Sequence, residues 1–222
     1  MKMRAIVTLL IVLSGLSTAA QVSVALQGGA IFSKPKATLN EQTSGMDFLA
    51  DSRTGYSAGV LADIPFGEGG LRLMPELNYV SKGLKGKNVF SVQQTQIGID
   101  LKSAIGYVEL PVNLAYSIPL GDHYLVFGAG PYAAIGLHGK TKAQVTVNNN
   151  VQEEEEDITF GSAQDQLNRF DYGANAMVGF IMNNGLMLKA NYSLGLSELS
   201  NDPASPYKNR YLGVSLAYFF LK

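Results

Sequence analysis

The stretch "RYLGVSLAYFFLK" (Arg210–Lys222) alternates along its whole length. Leu212, Val214, Leu216, Tyr218 and Phe220 fall on one face, and Tyr211, Gly213, Ser215, Ala217 and Phe219 on the other. A period of two is the signature of a β-strand. A helix would bring residues three and four apart together and mix the two sets. One face is bulky and apolar, while the other is mostly small.

The same alternation recurs upstream. In Leu71–Tyr79, Leu71, Leu73, Pro75, Leu77 and Tyr79 oppose Arg72, Met74, Glu76 and Asn78. In Val108–Ser117, Val108, Leu110, Val112, Leu114 and Tyr116 oppose Glu109, Pro111, Asn113, Ala115 and Ser117. Leu186–Leu196 sets Leu186, Leu188, Ala190, Tyr192 and Leu194 against Met187, Lys189, Asn191, Ser193 and Gly195. Weaker alternation marks Val22–Phe32, Tyr56–Ile64, Leu125–Leu137 and Tyr172–Met182. Together these predict an all-β chain of eight antiparallel strands. Most reach the ~9–11 residues that a tilted membrane-spanning strand needs.

The connections alternate as well. "FGEGG" (Phe66–Gly70), "PLGDH" (Pro119–His123) and "NNG" (Asn183–Gly185) read as tight turns. Ser33–Gly55, Gly83–Ser103, Gly139–Arg169 and Ser197–Asn209 read as long loops. Long and short connections in strict alternation describe an up-and-down meander with every tight turn at one end. Outer-membrane barrels have this asymmetry, with short periplasmic turns and long extracellular loops. The last strand is then expected to close the sheet against Val22–Phe32, because an open edge in hydrocarbon leaves backbone groups unpaired.

A soluble lipocalin-like barrel would show the same period with its apolar face turned inward around a ligand. The contents of the polar face favour the membrane reading. It holds Gly59, Gly128, Gly130, Gly136, Gly173, Gly179, Gly195 and Gly213 with Ser57, Ser193 and Ser215, and few charges. A water-facing exterior has no need of such small groups, whereas the narrow interior of eight strands does. Tyr56, Tyr79, Tyr107, Tyr116, Tyr172, Tyr192 and Tyr218 lie near strand ends, where an aromatic girdle belongs.

Composition agrees. At 46% hydrophobic and 16% charged, the chain is too apolar for disorder. Without cysteine it has no disulfide framework and no thiolate metal site. A net charge of −1 gives no basic footprint for nucleic acid. Lys2 and Arg4, the apolar run Ala5–Leu16 and the small residues Ser17–Ala20 read as a signal peptide over residues 1–20, cleaved between Ala20 and Gln21. The barrel domain is expected over 21–222, in the outer membrane of a Gram-negative-type cell, with outer-membrane lipid as its surroundings.

At "GYVELPVNLAY" (Gly106–Tyr116) the chain resembles the PorT-like, "porin family" outer-membrane barrels. Tyr107, Val108, Glu109, Leu110, Pro111 and Val112 match the pattern aromatic, apolar, Glu, apolar, Pro, apolar of that family's fourth strand. "FGAGPYAAIGL" (Phe127–Leu137), "NYSLGLSEL" (Asn191–Leu199) and "RYLGVSLAYFF" (Arg210–Phe220) are similar to its fifth, seventh and eighth strands. The resemblance implies a terminal aromatic residue read by the barrel-insertion machinery during biogenesis; here Leu221-Lys222 follows Phe220. It also implies a part in secretion or envelope assembly.

No catalytic, cofactor or metal site is indicated. His123 and His138 are the two histidines, and both sit at strand ends. Glu76 and Glu109 share the polar face of neighbouring strands, but without a histidine partner they read as interior ion-pair residues. Asp63, Arg72, Glu76, Glu109 and Lys189 all point inward by parity and are expected to form one interior polar network that blocks the lumen. Asp63 and Arg72 flank the same tight turn and are expected to pair. "VQEEEED" (Val151–Asp157) lacks the spaced ligands of a calcium loop and reads as a solvated, self-repelling acidic loop. "FGSAQDQLNRF" (Phe160–Phe170) is expected to form a short helix above the barrel. The chain therefore reads as a non-enzymatic outer-membrane barrel with a structural or surface-recognition role. A lipocalin-like carrier and a small-solute channel are the alternatives.

Overall fold

The computed structural model describes residues 22–37, 49–66, 69–92, 95–147, 150–203 and 206–221. The expected signal peptide, with Ala20 and Gln21, lies outside the described residues. Eight long strands carry the architecture: β1 (Ser23–Ser33), β2 (Arg53–Phe66), β3 (Leu71–Val92), β4 (Thr95–Leu120), β5 (His123–Val147), β6 (Phe170–Ile181), β7 (Leu186–Gly195) and β8 (Arg210–Leu221). Each pairs antiparallel with its sequence neighbour, and β8 pairs with β1. The sheet is therefore a closed ring of eight strands. The closing seam sets Ala30 opposite Val214 and Phe32 opposite Leu212.

The tight turns lie at one end. Gly70, Gly121 and Gly185 have φ of 77°, 63° and 86°. Tight hairpin connections commonly take the backbone into this left-handed region, which glycine enters without steric cost.

The faces follow the alternation. Leu77, Leu110, Leu188 and Leu216 point outward, each about half exposed in the isolated chain. This outward apolar wall excludes the lipocalin-like carrier, which needs the same side chains inside. Tyr116, Tyr124 and Tyr218 ring the tight-turn end on the outside, and Tyr56 and Tyr172 ring the other. Tyr107 does not join them. It is fully buried inside the barrel, as its shared parity with Glu109 requires.

Two of the expected long loops are strands. β3, β4 and β5 are 22, 26 and 25 residues long, against 12, 10 and 12 for β6, β7 and β8. Residues 83–92 and 95–103 pair with each other as the upper part of the β3–β4 ladder. The acidic segment is also a strand: Asn150–Asp157 pairs along β5 from Val147 to Lys140, with all eight residues exposed. On the other flank the short strand Leu49–Asp51 pairs with β3. The result is a sheet extension that rises from one side of the barrel. The expected helix at Phe160–Phe170 is absent. The segment is a bend held by single bridges from Leu167 to Phe160 and Ser200. Ile158, Phe160 and Leu167 pack into the mouth against Ile105, Tyr107, Tyr132 and Ala134.

Candidate functional site

The barrel interior is built in layers. Nearest the tight turns, Arg72 pairs with Asp63, as their shared turn predicts, and also donates to Ser117 Oγ at 3.0 Å. Above them an apolar layer crosses the lumen: Leu61, Met74, Val126, Met177, Met187 and Phe219 meet with Ala25, Ala115 and Ala217. These side chains fill the lumen at this height, with the buried Ser117 directly opposite Val126 at the layer's edge.

A polar layer follows. Lys189 Nζ lies 2.5 Å from Glu76 Oε2, and both side chains are nearly fully buried. Gln27 Nε2 donates to Glu76 Oε2 and to Asn78 Oδ1, each at 2.7 Å, and Asn78 Nδ2 donates to Glu76 at 2.9 Å. Across the barrel Asn175 Nδ2 donates to Asn113 at 3.0 Å, while Asn175 Oδ1 accepts from Ser193 Oγ at 2.9 Å. A gap of about 20 Å³ remains among Gln27, Glu76, Asn175, Lys189 and Tyr211. That is room for about one water molecule.

The uppermost interior layer holds a buried lysine. Lys82 Nζ sits 2.5 Å from Glu109 Oε2 and 3.1 Å from Asp171 Oδ2, with all three side chains inaccessible. The rings of Tyr107, Tyr132 and Tyr211 surround the ammonium at 4.9, 5.0 and 5.2 Å. Tyr211 Oη donates to Glu109, Ser197 Oγ donates to Asp171 Oδ1 at 2.8 Å, and Asn209 Nδ2 donates to Asp171 Oδ2 at 2.8 Å. A buried charge pair persists where its remaining valences are filled by hydrogen bonds, and here β3, β4, β5, β6 and β8 each contribute a group. Tyr132 reaches this layer because Gly173 and Gly195 leave room. A Cβ at Gly173 would come within 2.8 Å of its ring. Gly128 and Gly130 leave room elsewhere, for Ala115, Met177 and the Val112 backbone.

The five charged residues predicted to point inward do so, but they form separate clusters rather than one network. Asp63 meets Arg72, Glu76 meets Lys189, and Glu109 meets none of the other four. Its partner Lys82 lies beyond Tyr79, where the clear apolar alternation of this strand stops. Parity with Arg72 and Glu76 was the signal for Lys82, and parity with Gly173 and Asn175 was the signal for Asp171.

Outside the membrane belt the extension curves over the mouth. A cleft of about 550 Å³ on its concave side is lined by Leu84, Leu101, Thr141, Ile158, Asp165 and Tyr207, among others. The strand Asn150–Asp157 is fastened by ion pairs: Glu155 lies 2.6 Å from both Lys140 and Lys142. These bonds hold the Glu155 carboxyl down at about 2, with the hydrogen bond from Lys140 contributing most and that from Lys142 next. Among the described residues, no group of three or more histidine or acidic residues is arranged to hold a metal ion.

A closed antiparallel ring of eight strands, apolar outside and filled with small, polar and paired charged groups inside, is the architecture of a transmembrane β-barrel. Residues 18–201 match the family described as outer membrane protein beta-barrel domain, and the chain belongs to that family. It is an outer-membrane protein. Among solved structures, it is similar to the Neisserial surface protein A, at 14% identity and a TM-score of 0.40 over 90% of this chain and 99% of that one. It is also similar to OprG from Pseudomonas aeruginosa, at 9% identity and a TM-score of 0.44 over 91% of this chain and 98% of that one. Ail of Yersinia pestis, solved with a heparin analogue, shares 14% identity at a TM-score of 0.33 over 89% and 99% of the two chains. No protein with a curated description matches the chain.

Proposed function

We propose that the protein is a non-conducting, non-enzymatic barrel of the PorT-like kind whose work is done by the sheet extension at the cell surface. The observation that carries this reading is the contrast in strand length. A membrane crossing needs about ten residues, yet β3, β4 and β5 run to more than twice that. The surplus forms a sheet with a concave cleft and an acidic edge strand, a surface suited to recognition or to docking a component of secretion or envelope assembly. The chain reaches the membrane through an N-terminal signal peptide cleaved between Ala20 and Gln21, and the insertion machinery folds it there. The filled interior supports the absence of conduction: an apolar layer and two buried ion-pair layers lie one above another.

Two measurements test the proposal. Purified protein in planar bilayers is expected to give no steady single-channel current; a large, stable current would return the channel reading. Protease added to intact cells is expected to cut the bend at 158–169 and leave the strands protected. Cutting only after the outer membrane is permeabilised would reverse the topology.

A further inference from the structure

Three lysines stand in one row across the extension. Lys85 of β3 is directly opposite Lys102 of β4, and Lys102 is directly opposite Lys142 of β5. Residues so paired project from the same side of a sheet with Cβ atoms ~4.5–5.5 Å apart, and like charges in that position repel. Their sequence neighbours Leu84, Leu101, Ser103 and Thr141 line the concave cleft. The lysines therefore occupy the convex side, which continues the lipid-facing wall upward.

Compensation reaches the Lys142 end of the row but not its middle. Glu155 lies opposite Lys142 and bonds it, while also bonding Lys140. Asp100, the nearby acid on β4, pairs with Lys87 at 3.4 Å. Lys102, flanked by a lysine on each neighbouring strand, has no ion pair among the described side chains.

Below the row the outer face carries a stacked ladder. The Tyr56 and Tyr79 rings lie 5.8 Å apart and the Tyr79 and His138 rings 6.2 Å apart. Tyr79 Oη meets His138 Nε2 at 3.1 Å. The two meet over Gly106, where a Cβ would come within 2.4 Å of Tyr79 Oη. Lys102 and Lys142 are each four residues from this level, ~13 Å along a strand. On a strand tilted ~40° that is about 10 Å of height, the headgroup zone of a bilayer whose hydrocarbon ends at the aromatic ring.

We propose that the Lys85–Lys102–Lys142 row binds the phosphorylated saccharide headgroup of a lipid in the leaflet from which the extension projects. The phosphate groups sit among the lysines, the sugar faces lie against the Tyr56–Tyr79–His138 ladder, and the acyl chains run down the outward leucines. This rests on the reading that the extension leaves the membrane on the side of the long connections. The lipid, not a free anion, is the ligand because row, ladder and apolar wall form one continuous face.

The test uses the full-length protein folded in dodecyl maltoside micelles, where both ends of the barrel are accessible, so a reversed topology cannot mask binding. Native mass spectrometry measures retention of diphosphoryl lipid A against dephosphorylated lipid A and phosphatidylcholine, with inorganic pyrophosphate as competitor. Selective retention of the diphosphoryl form, weakened by salt, is expected. Lys85→Gln and Lys102→Gln are each expected to weaken it about fivefold. Without lipid A the same variants should keep or raise the melting temperature, since each removes a like-charge contact; a merely structural role predicts a fall. Equal retention by wild type and the Lys85→Gln/Lys102→Gln double variant overturns the proposal. So does displacement of lipid A by pyrophosphate at comparable concentration, which would make the row a site for free anions.

Discussion

Lys82 and Lys140 have nearly the same contacts and very different surroundings. Lys82 lies 2.5 Å from Glu109 and 3.1 Å from Asp171; Lys140 lies 2.6 Å from Glu155 and 3.9 Å from Asp157. Lys82 is inaccessible, whereas the Lys140 side chain is 59% exposed. Coulomb attraction and desolvation both grow as water is removed, so the buried set has large opposing terms and the exposed set small ones. The barrel depends on its lysine cluster staying whole. The extension can lose one ion pair and stay assembled through its backbone ladder.

The largest effect is therefore expected from Lys82→Met. It leaves Glu109 and Asp171 buried without a cation, and breaking a buried pair in this way costs about 3–5 kcal/mol. Replacing Lys82, Glu109 and Asp171 together by Met, Gln and Asn should cost less than Lys82→Met alone, because no charge is then left behind. Denaturant titration of the folded protein in detergent measures both. A triple variant weaker than the single one would show that the cluster stabilises the fold outright.

Next in size is the lipid face. Leu110→Arg and Leu188→Arg, on outward positions of β4 and β7, are expected to cost about 2–4 kcal/mol near the bilayer midplane. The same change at Leu84, which lines the cleft of the extension, should cost less. Equal losses at all three positions would remove the distinction between membrane wall and extension.

What the sequence made legible divides along the same line. Eight strands, their order, the tight turns and the outward leucines follow from local alternation. So does the Asp63–Arg72 pair, which flanks one turn. The extension was hidden because the length of a membrane crossing supplied the strand ends, and the Lys-Gly-rich run after Lys82 has no apolar face to mark it as strand. Its pairing comes from the neighbouring strands. The Lys82–Asp171 contact joins residues 89 apart in sequence. Parity places each of them in the lumen, but only the register of the closed barrel brings them to the same height.

A smaller contrast is expected between two glutamates. Glu109→Ala strips Tyr211 Oη and Lys82 of a partner inside the barrel, at about 1–3 kcal/mol. Glu155→Ala, on the open edge strand, should leave the unfolding midpoint unchanged. Matching shifts would mean that the extension and the barrel unfold as one unit.

The smallest effect is a pH dependence confined to the extension. Glu155 carries a folded-state value of about 2, below the ordinary 4.5, because Lys140 and Lys142 hydrogen-bond its charged form. A carboxylate with a lowered value stabilises the folded form above its unfolded value, and that contribution is lost as pH falls through the folded one. The fastening of Asn150–Asp157 to β5 should thus be whole above pH 4.5 and fade between 4.5 and about 2. Hydrogen exchange, corrected for the intrinsic rate at each pH, should show loss of protection at the backbone amides joining this strand to β5. The β6–β8 amides should stay protected, since their ladder involves no exposed ion pair. High salt at neutral pH should loosen the same strand by screening the same attraction. Glu155→Gln decides the matter. It cannot titrate, so the edge strand of that variant should already show at pH 6 the lower protection that wild type reaches only in acid, with no further step on acidification. A Glu155→Gln protein that follows the wild-type curve would assign the acid response to other carboxylates and leave the strand held by its backbone ladder alone.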